Sequence, residues 1–291
     1  LDRVRTLSEG VGGDAGETAL VGPGSDEIAR LSAGGVYSAI RAVQQGEVSN
    51  AYSLCRPPGH HAERDRGRGF CLYNNIGVAI LEARAQGLVD RVAVVDWDVH
   101  HGNGTQQAFY ESPDVLTISL HQEMLYPVDL GTLDEQGEGE GRGYNINVPL
   151  PAGCGGGAYQ LAMNEVVEPA LRAFEPELIV VACGYDAAYF DPLSHMLLIS
   201  SHFRAMTQQV MRLADELCGG HLAFSHEGGY SEFYVPFCGA AVIETLAGIN
   251  SGVVDPYGGT AGVANQELKP HQQDAVSAAV TGPLDALLRA L

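Results

Sequence analysis

Positive charge is scarce in this chain: 16 lysines and arginines stand against 36 aspartates and glutamates, a formal net charge of −20 over 291 residues. A field of that sign repels phosphates, which excludes non-specific binding to nucleic acid or to an anionic membrane and favours a cationic substrate. The same charge also serves solubility. No uncharged apolar run approaches the roughly 18 residues needed to cross a bilayer. Cysteine is sparse as well: Cys55, Cys71, Cys154, Cys183, Cys218 and Cys238 form no CxxC pair, which argues against a zinc ribbon or a disulfide scaffold and for small buried thiols in a reducing cytoplasm. The opening Leu-Asp-Arg-Val-Arg has no initiator methionine and no signal-peptide pattern, so the chain is expected to begin inside a longer one. Neither an internal repeat nor a Pro- or Ser-rich linker divides it, and one domain spanning 1–291 is expected. Gly153-Cys-Gly-Gly-Gly157 lacks the Lys-Ser/Thr of a phosphate loop. The acidic, glycine-rich stretch 131–143 reads as a mobile solvated loop.

What is present is globular: 45% hydrophobic against 18% charged residues supports a packed core rather than disorder. Apolar runs at 51–55, 91–95, 177–183 and 220–224 read as strands, with 114–120 as a fifth. Helical patterning lies between them at 26–44 behind Ser25 as N-cap, and at 75–86, 157–174, 202–218 and 234–246. From 251 onward a loop and a final helix are expected. Strand, loop and helix in alternation predict an α/β fold, a parallel sheet with helices on both faces in a three-layer sandwich.

Ligands of such sheets bind beyond the carboxyl ends of the strands, and there the polar motifs fall. Arg56-Pro-Pro-Gly-His-His61, Asp96-Trp-Asp-Val-His-His-Gly-Asn-Gly-Thr105, Gly184-Tyr-Asp186 and Ser225-His-Glu-Gly-Gly-Tyr230 each follow a strand. Asp98 and His100, two residues apart, point to one side of an extended chain. With Asp186 they make a three-ligand set that leaves positions open, as a catalytic metal site requires. Zinc is the first choice, although the set also suits Mn²⁺, Fe²⁺ or Mg²⁺. His60 and His61 lack metal-ligand spacing and suit proton transfer, with Asp96 and Asn103 as the groups available to anchor their far nitrogens. Tyr230, presented after Gly228 and Gly229, suits an oxyanion beside a metal. Phe70 and Tyr126 read equally as pocket walls or as core aromatics.

These motifs, together with Gly69-Phe-Cys-Leu-Tyr-Asn-Asn75, Asp191-Pro192 and Val235-Pro-Phe-Cys-Gly239, resemble the zinc-dependent histone deacetylase superfamily. The likeness is to its class II-like and bacterial amidohydrolase members, and it runs from Pro23 to Leu246. The resemblance implies the arginase/deacetylase-like fold, Zn²⁺ on Asp98, His100 and Asp186, Asp96 as the anchor of His60, His61 as general base, and Tyr230 polarising the acyl carbonyl. Asn103 stands where class I members carry Asp. The resemblance further implies K⁺ at Asp96, Asp98, His100, Ser119 and Leu120, mostly through carbonyls, and a second monovalent ion near Phe109, Ser112, Val115 and Tyr144. Gly69, Phe70 and Tyr126 match the walls of an acyl-lysine tunnel; the usual Phe is Tyr at 126, which also suits a rim position. Family domains begin well upstream of this chain's first residue.

The function expected is zinc-dependent hydrolysis of an N-acetyl amide of a lysine-like amine, releasing acetate. Acetylpolyamines are the alternative substrate, favoured by the net charge but not by Leu193, which stands where polyamine-selective relatives carry an acidic gate. A catalytically silent acyl-lysine binder would be signalled by a lost ligand or a missing Tyr, and neither is seen. A two-metal ureohydrolase would need a DAHxD set, which is absent. A second copy of the chain is the one protein partner considered.

Overall fold

All five expected strands pair, and a sixth joins them. In chain order they are β1 (Ala51–Ser53), β2 (Val92–Asp96), β3 (Val115–Gln122), β4 (Asn145–Leu150), β5 (Leu178–Cys183) and β6 (Leu222–His226), in the spatial order β1-β6-β5-β2-β3-β4 with every neighbouring pair parallel. The computed structural model describes residues 2–259 and 266–291; Leu1 and part of the loop before the last helices lie outside the described residues.

Period-two alternation sends each central strand's side chains to two cores. Ala93 and Val95 of β2, with Ile179, Val181 and Cys183 of β5, pack against α5 (Gly156–Ala162), α6 (Glu168–Phe174), α7 (Ser200–Cys218), α8 (Val235–Ala247) and α9 (Pro270–Ala279). Val92, Val94, Leu178, Val180 and Ala182 pack on the opposite face against α2 (Ser25–Gln44) and α3 (Asn75–Ala85), with α1 (Asp2–Glu9) beside α2 and α4 (Asn103–Phe109) beside α3. A strand buried on both faces reads as an unbroken apolar run, which is why these were visible in sequence. Each such Val, Ile or Leu contributes about 1.5–3 kcal/mol by burial.

Four expectations need correction. β4 was not expected, because Asn145, Asn147 and Pro149 interrupt its apolar pattern; its position at the sheet edge tolerates the proline, and the two asparagines are buried only because their amides find partners. Those partners include the carbonyls of Thr132 and Glu135, and the Glu135 carboxylate accepts from Gly131 N and Gln106 Nε2, so the stretch read as a mobile loop is fastened to the sheet. Ser25 is the first residue of α2, not its cap; Gly24, at φ 80°, holds that place, and Ser25 Oγ instead accepts from Gly22 N. The helix expected over 157–174 contains a π-turn at Met163–Val167, just ahead of Pro169, which has no N–H and whose ring excludes the carbonyl four residues back.

All six cysteines are free, five of them buried. Among the described residues no helix is long and apolar enough to cross a membrane.

Candidate active site

Strand register sets the site. Asp96, the last residue of β2, pairs with Ser119 on β3 and Ala182 on β5, and Cys183 pairs with His226, so the four loops leave the sheet at one level. Asp98, His100 and Asp186 converge there: one donor atom from each lies within 4.8 Å of the others, and all three residues are buried. His100 Nδ1 stands 3.1 Å from Asp98 Oδ1 and 3.0 Å from Asp186 Oδ2. Backbone amides hold the carboxylates from behind, with Gly228 N donating to Asp98 Oδ2 at 2.7 Å, His100 N to Asp98 Oδ1 at 2.9 Å and Val99 N to Asp186 Oδ1 at 2.8 Å. Close approach requires glycine at 184 and 228: a β-carbon at Gly184 would meet Asp98 Oδ2 at 2.2 Å, and one at Gly228 would meet Asp186 Oδ2 at 2.2 Å.

Buried charge of one sign is costly without a counter-charge. Burial and the neighbouring Asp98 push the Asp186 carboxyl up to about 7. Burial opposes a charge on His100, yet hydrogen bonds to Asp186 and Asp98 push it up to about 10. Two carboxylate oxygens and one imidazole nitrogen, buried together, fit a divalent cation of the zinc type.

The histidine pair leans on side chains at and beyond the end of β2. His60 Nδ1 is 2.9 Å from Asp96 Oδ2, His61 Nδ1 is 2.7 Å from Asn103 Oδ1, and the two rings are 4.0 Å apart. Their environments pull them in opposite directions. Burial disfavours a charged His60, but Asp98 and Asp96 outweigh it and hold its pKa well above the usual value. Burial, with His60 and His100 nearby, holds His61 well below the usual value.

Tyr230 is kept protonated by burial and by the charges of Asp186 and Asp98. Its backbone N–H donates to Asp191 Oδ2 at 2.7 Å, and its ring meets Phe70 edge-on at 5.8 Å. Phe70, Gly228, Gly229 and Tyr230 border a cavity of about 840 Å³ whose wall includes Arg56. The Tyr126 ring meets His61 at 5.0 Å and His100 at 6.3 Å. Gly69, at φ 50°, lies so close that a β-carbon there would meet His61 at 2.4 Å and Tyr126 at 2.9 Å. Leu193 is 41% exposed.

Ser119 and Leu120 follow Asp96 across the sheet and are buried, with Ser119 Oγ 2.9 Å from His121 Nδ1. Phe109, Ser112, Val115 and Tyr144 gather where β3 begins; Ser112 N donates to the Phe109 carbonyl and Thr117 N to the Tyr144 carbonyl. Two residues escaped the sequence reading. Glu227 accepts from Gly59 N at 2.7 Å, His60 N at 3.1 Å and Ser225 Oγ at 2.9 Å, tying the histidine loop to the Tyr230 loop; burial pushes it up to about 7. Glu63 contacts Asn103. Both lie inside the quoted motifs or beside them, yet their partners are remote in sequence.

The histone deacetylase domain matches residues 2–246. The histone deacetylase-like amidohydrolase of Pseudomonas aeruginosa is 56% identical over 88% of this chain and 67% of its own length. The histone deacetylase clr3 of Schizosaccharomyces pombe is 42% identical over 77% of this chain and 33% of its own length. The chain thus spans about two thirds of one curated relative and a third of the other. The crystal structure of the HDA15 HD domain matches with a TM-score of 0.87 at 34% identity, covering 99% of this chain and 76% of that one. Sheet order, rim motifs and these matches agree: the chain belongs to the histone deacetylase family.

Proposed function

We propose that this chain hydrolyses the N-acetyl amide of a lysine-like amine, with one Zn²⁺ held by Asp98, His100 and Asp186. The observation that carries the reading is the convergence of those three donors within 4.8 Å, beside two histidines of opposed basicity and a protonated phenol. When bound, the ion supplies Lewis acidity to the acyl carbonyl and to the attacking water.

The chain's own groups do the rest. His61, kept neutral, takes the proton of the attacking water as its oxygen bonds to the carbonyl carbon. Tyr230 donates a hydrogen bond to the oxyanion of the tetrahedral adduct. The proton passes to the amide nitrogen as the C–N bond breaks, so the amine leaves protonated and acetate is released. His60, held cationic by Asp96 and Asp98, places positive charge beside the adduct. Titratable neighbours pushed apart in this way divide acid from base roles. Phe70 and Tyr126, with Gly69 between them, flank the aliphatic stem of the acyl amine; Gly228 and Gly229 keep the backbone out of its way.

By family resemblance, K⁺ is assigned to Asp96, Asp98, His100, Ser119 and Leu120, and a second ion to the neighbourhood of Phe109, Ser112, Val115 and Tyr144. The chain is read as a single catalytic domain working in a reducing cytoplasm, the latter supported by its free, mostly buried thiols.

An acetylpolyamine is the second reading, favoured by the net charge of −20 and opposed by Leu193 at the position of an acidic gate. Turnover of an acetyl-lysine peptide and of acetylspermidine by the zinc-loaded chain separates them. A kcat/KM at least about tenfold higher on the peptide is expected; the reverse order assigns the site to polyamines, and hydrolysis of neither removes the enzymatic reading.

A further inference from the structure

Glu63 stands outside the set of groups that would touch substrate, yet it is in contact with that set. The Asn103 amide nitrogen donates to Glu63 Oε1 at 2.7 Å and to the His61 carbonyl at 3.3 Å, while the amide oxygen lies 2.7 Å from His61 Nδ1. An amide has two chemically different ends of nearly equal shape, so its orientation is set by its partners. Reversing this one would bring the amide oxygen against a carboxylate oxygen, two acceptors with no proton between them, and would aim an NH₂ group at His61 Nδ1.

The carboxylate is itself held in place. Its side chain is 7% exposed and pairs with Arg66 at 2.7 Å through one oxygen and with Arg68 at 2.9 Å through the other. Arg68 also pairs with Glu17 at 2.9 Å and lies over the Tyr126 ring, 5.5 Å from its centroid. Burial works against the charge, but the two guanidiniums keep Glu63 ionised and therefore only an acceptor.

We propose that Glu63 is a positioning residue: by accepting from Asn103 it fixes the orientation of that amide and, through it, the Nδ1–H tautomer of His61, leaving Nε2 as the nitrogen that takes a proton. The assignment rests on the reading of His61 as the base. A carboxylate at position 103 would accept from His61 Nδ1 with either oxygen; an asparagine there needs a neighbour that tells its ends apart.

The test compares the zinc-loaded wild type with Glu63→Gln, Asn103→Asp, the double variant and Arg66→Gln. Steady-state kinetics on an acetyl-lysine peptide are read together with ¹⁵N NMR of the histidine side chains. Glu63→Gln frees the amide to turn, and is expected to lower kcat about tenfold with KM within about twofold, while the His61 nitrogens lose the shifts of a single tautomer. Asn103→Asp sets two carboxylates 2.7 Å apart and is expected to lose at least as much. In the double variant the new amide at 63 donates to the new carboxylate at 103, so turnover returns to within about threefold of wild type, a recovery that a merely structural role would not give. Arg66→Gln removes one of the two cations on Glu63 and leaves the Arg68 pair at 2.9 Å, so turnover is expected to stay within about twofold. Losses that simply add in the double variant, or a wild-type His61 spectrum in Glu63→Gln, would overturn the proposal. If Glu63→Gln does not fold, the double variant decides: turnover no higher than in Asn103→Asp would overturn the proposal. If the wild type hydrolyses no acyl amide, the reading of the reaction fails while the NMR comparison still decides the role of Glu63.

Discussion

Tyr230→Phe is expected to lower kcat on an acetyl-lysine peptide by about 10²–10³-fold, with KM little changed and zinc retained. The substitution removes one oxygen. It leaves the ring that meets Phe70 at 5.8 Å and His100 at 6.4 Å, and it leaves the backbone N–H that bonds Asp191, so the loop keeps its place. The hydroxyl is a dependable donor because burial and the Asp186 and Asp98 charges keep it protonated. In the proposed reaction its partner is an oxyanion that exists only on the way to product, so its loss falls on kcat rather than on substrate binding. Steady-state kinetics with the metal content measured on the same sample check this. Turnover within about threefold of wild type would show that another group stabilises the oxyanion.

Gly228→Ala should produce a comparable loss by a different route, through the metal. The added methyl group would sit 2.2 Å from Asp186 Oδ2 and 2.7 Å from Asp98 Oδ2. Neither carboxylate is free to retreat, since Val99 N holds Asp186 and the amides of Gly228 and His100 hold Asp98. Forcing a carbon into such a packed site costs about 1–3 kcal/mol, and displaced ligands are expected to weaken zinc by on the order of 100-fold, with turnover falling in step. Competition against a chromogenic chelator measures the affinity. Gly239→Ala is the matched control: in α8 its β-carbon meets nothing nearer than 3.8 Å, and helix propensity makes it neutral or stabilising by up to about 1 kcal/mol. Equal zinc affinity in Gly228→Ala and wild type would mean that Asp98 and Asp186 do not hold the metal together.

Legibility in sequence followed burial. Strands β2, β5 and β6 announce themselves because both their faces are apolar, and the rule that ligands sit beyond carboxyl ends then brings Asp98 and His100 to Asp186, 86 positions away. β6 was expected two residues early because Gly219 and Gly220 look like part of the turn into a strand, whereas Gly219 is the left-handed cap of α7; His226 thereby belongs to the strand end rather than to the loop. β4 was hidden because Asn145 and Asn147 are satisfied by Gln106 and Thr132, groups that no local pattern connects to them. Glu227 and Glu63 were missed for the same reason. A carboxylate that accepts from Gly59 N, or from the Asn103 amide, looks in sequence like one more surface charge. Tyr126 reads in sequence as wall, rim or core aromatic alike, because the contacts of its ring with His61 and His100 join segments far apart in the chain.

The most direct test of the account is a zinc titration of the chelator-stripped chain, with acetate release from an acetyl-lysine peptide as the readout. Activity is predicted to rise linearly and to break at one equivalent of Zn²⁺, because Asp98, His100 and Asp186 form the one such cluster of metal-ligating groups among the described residues. Full turnover in the stripped chain, or one tightly bound zinc with no acetate released, would contradict it.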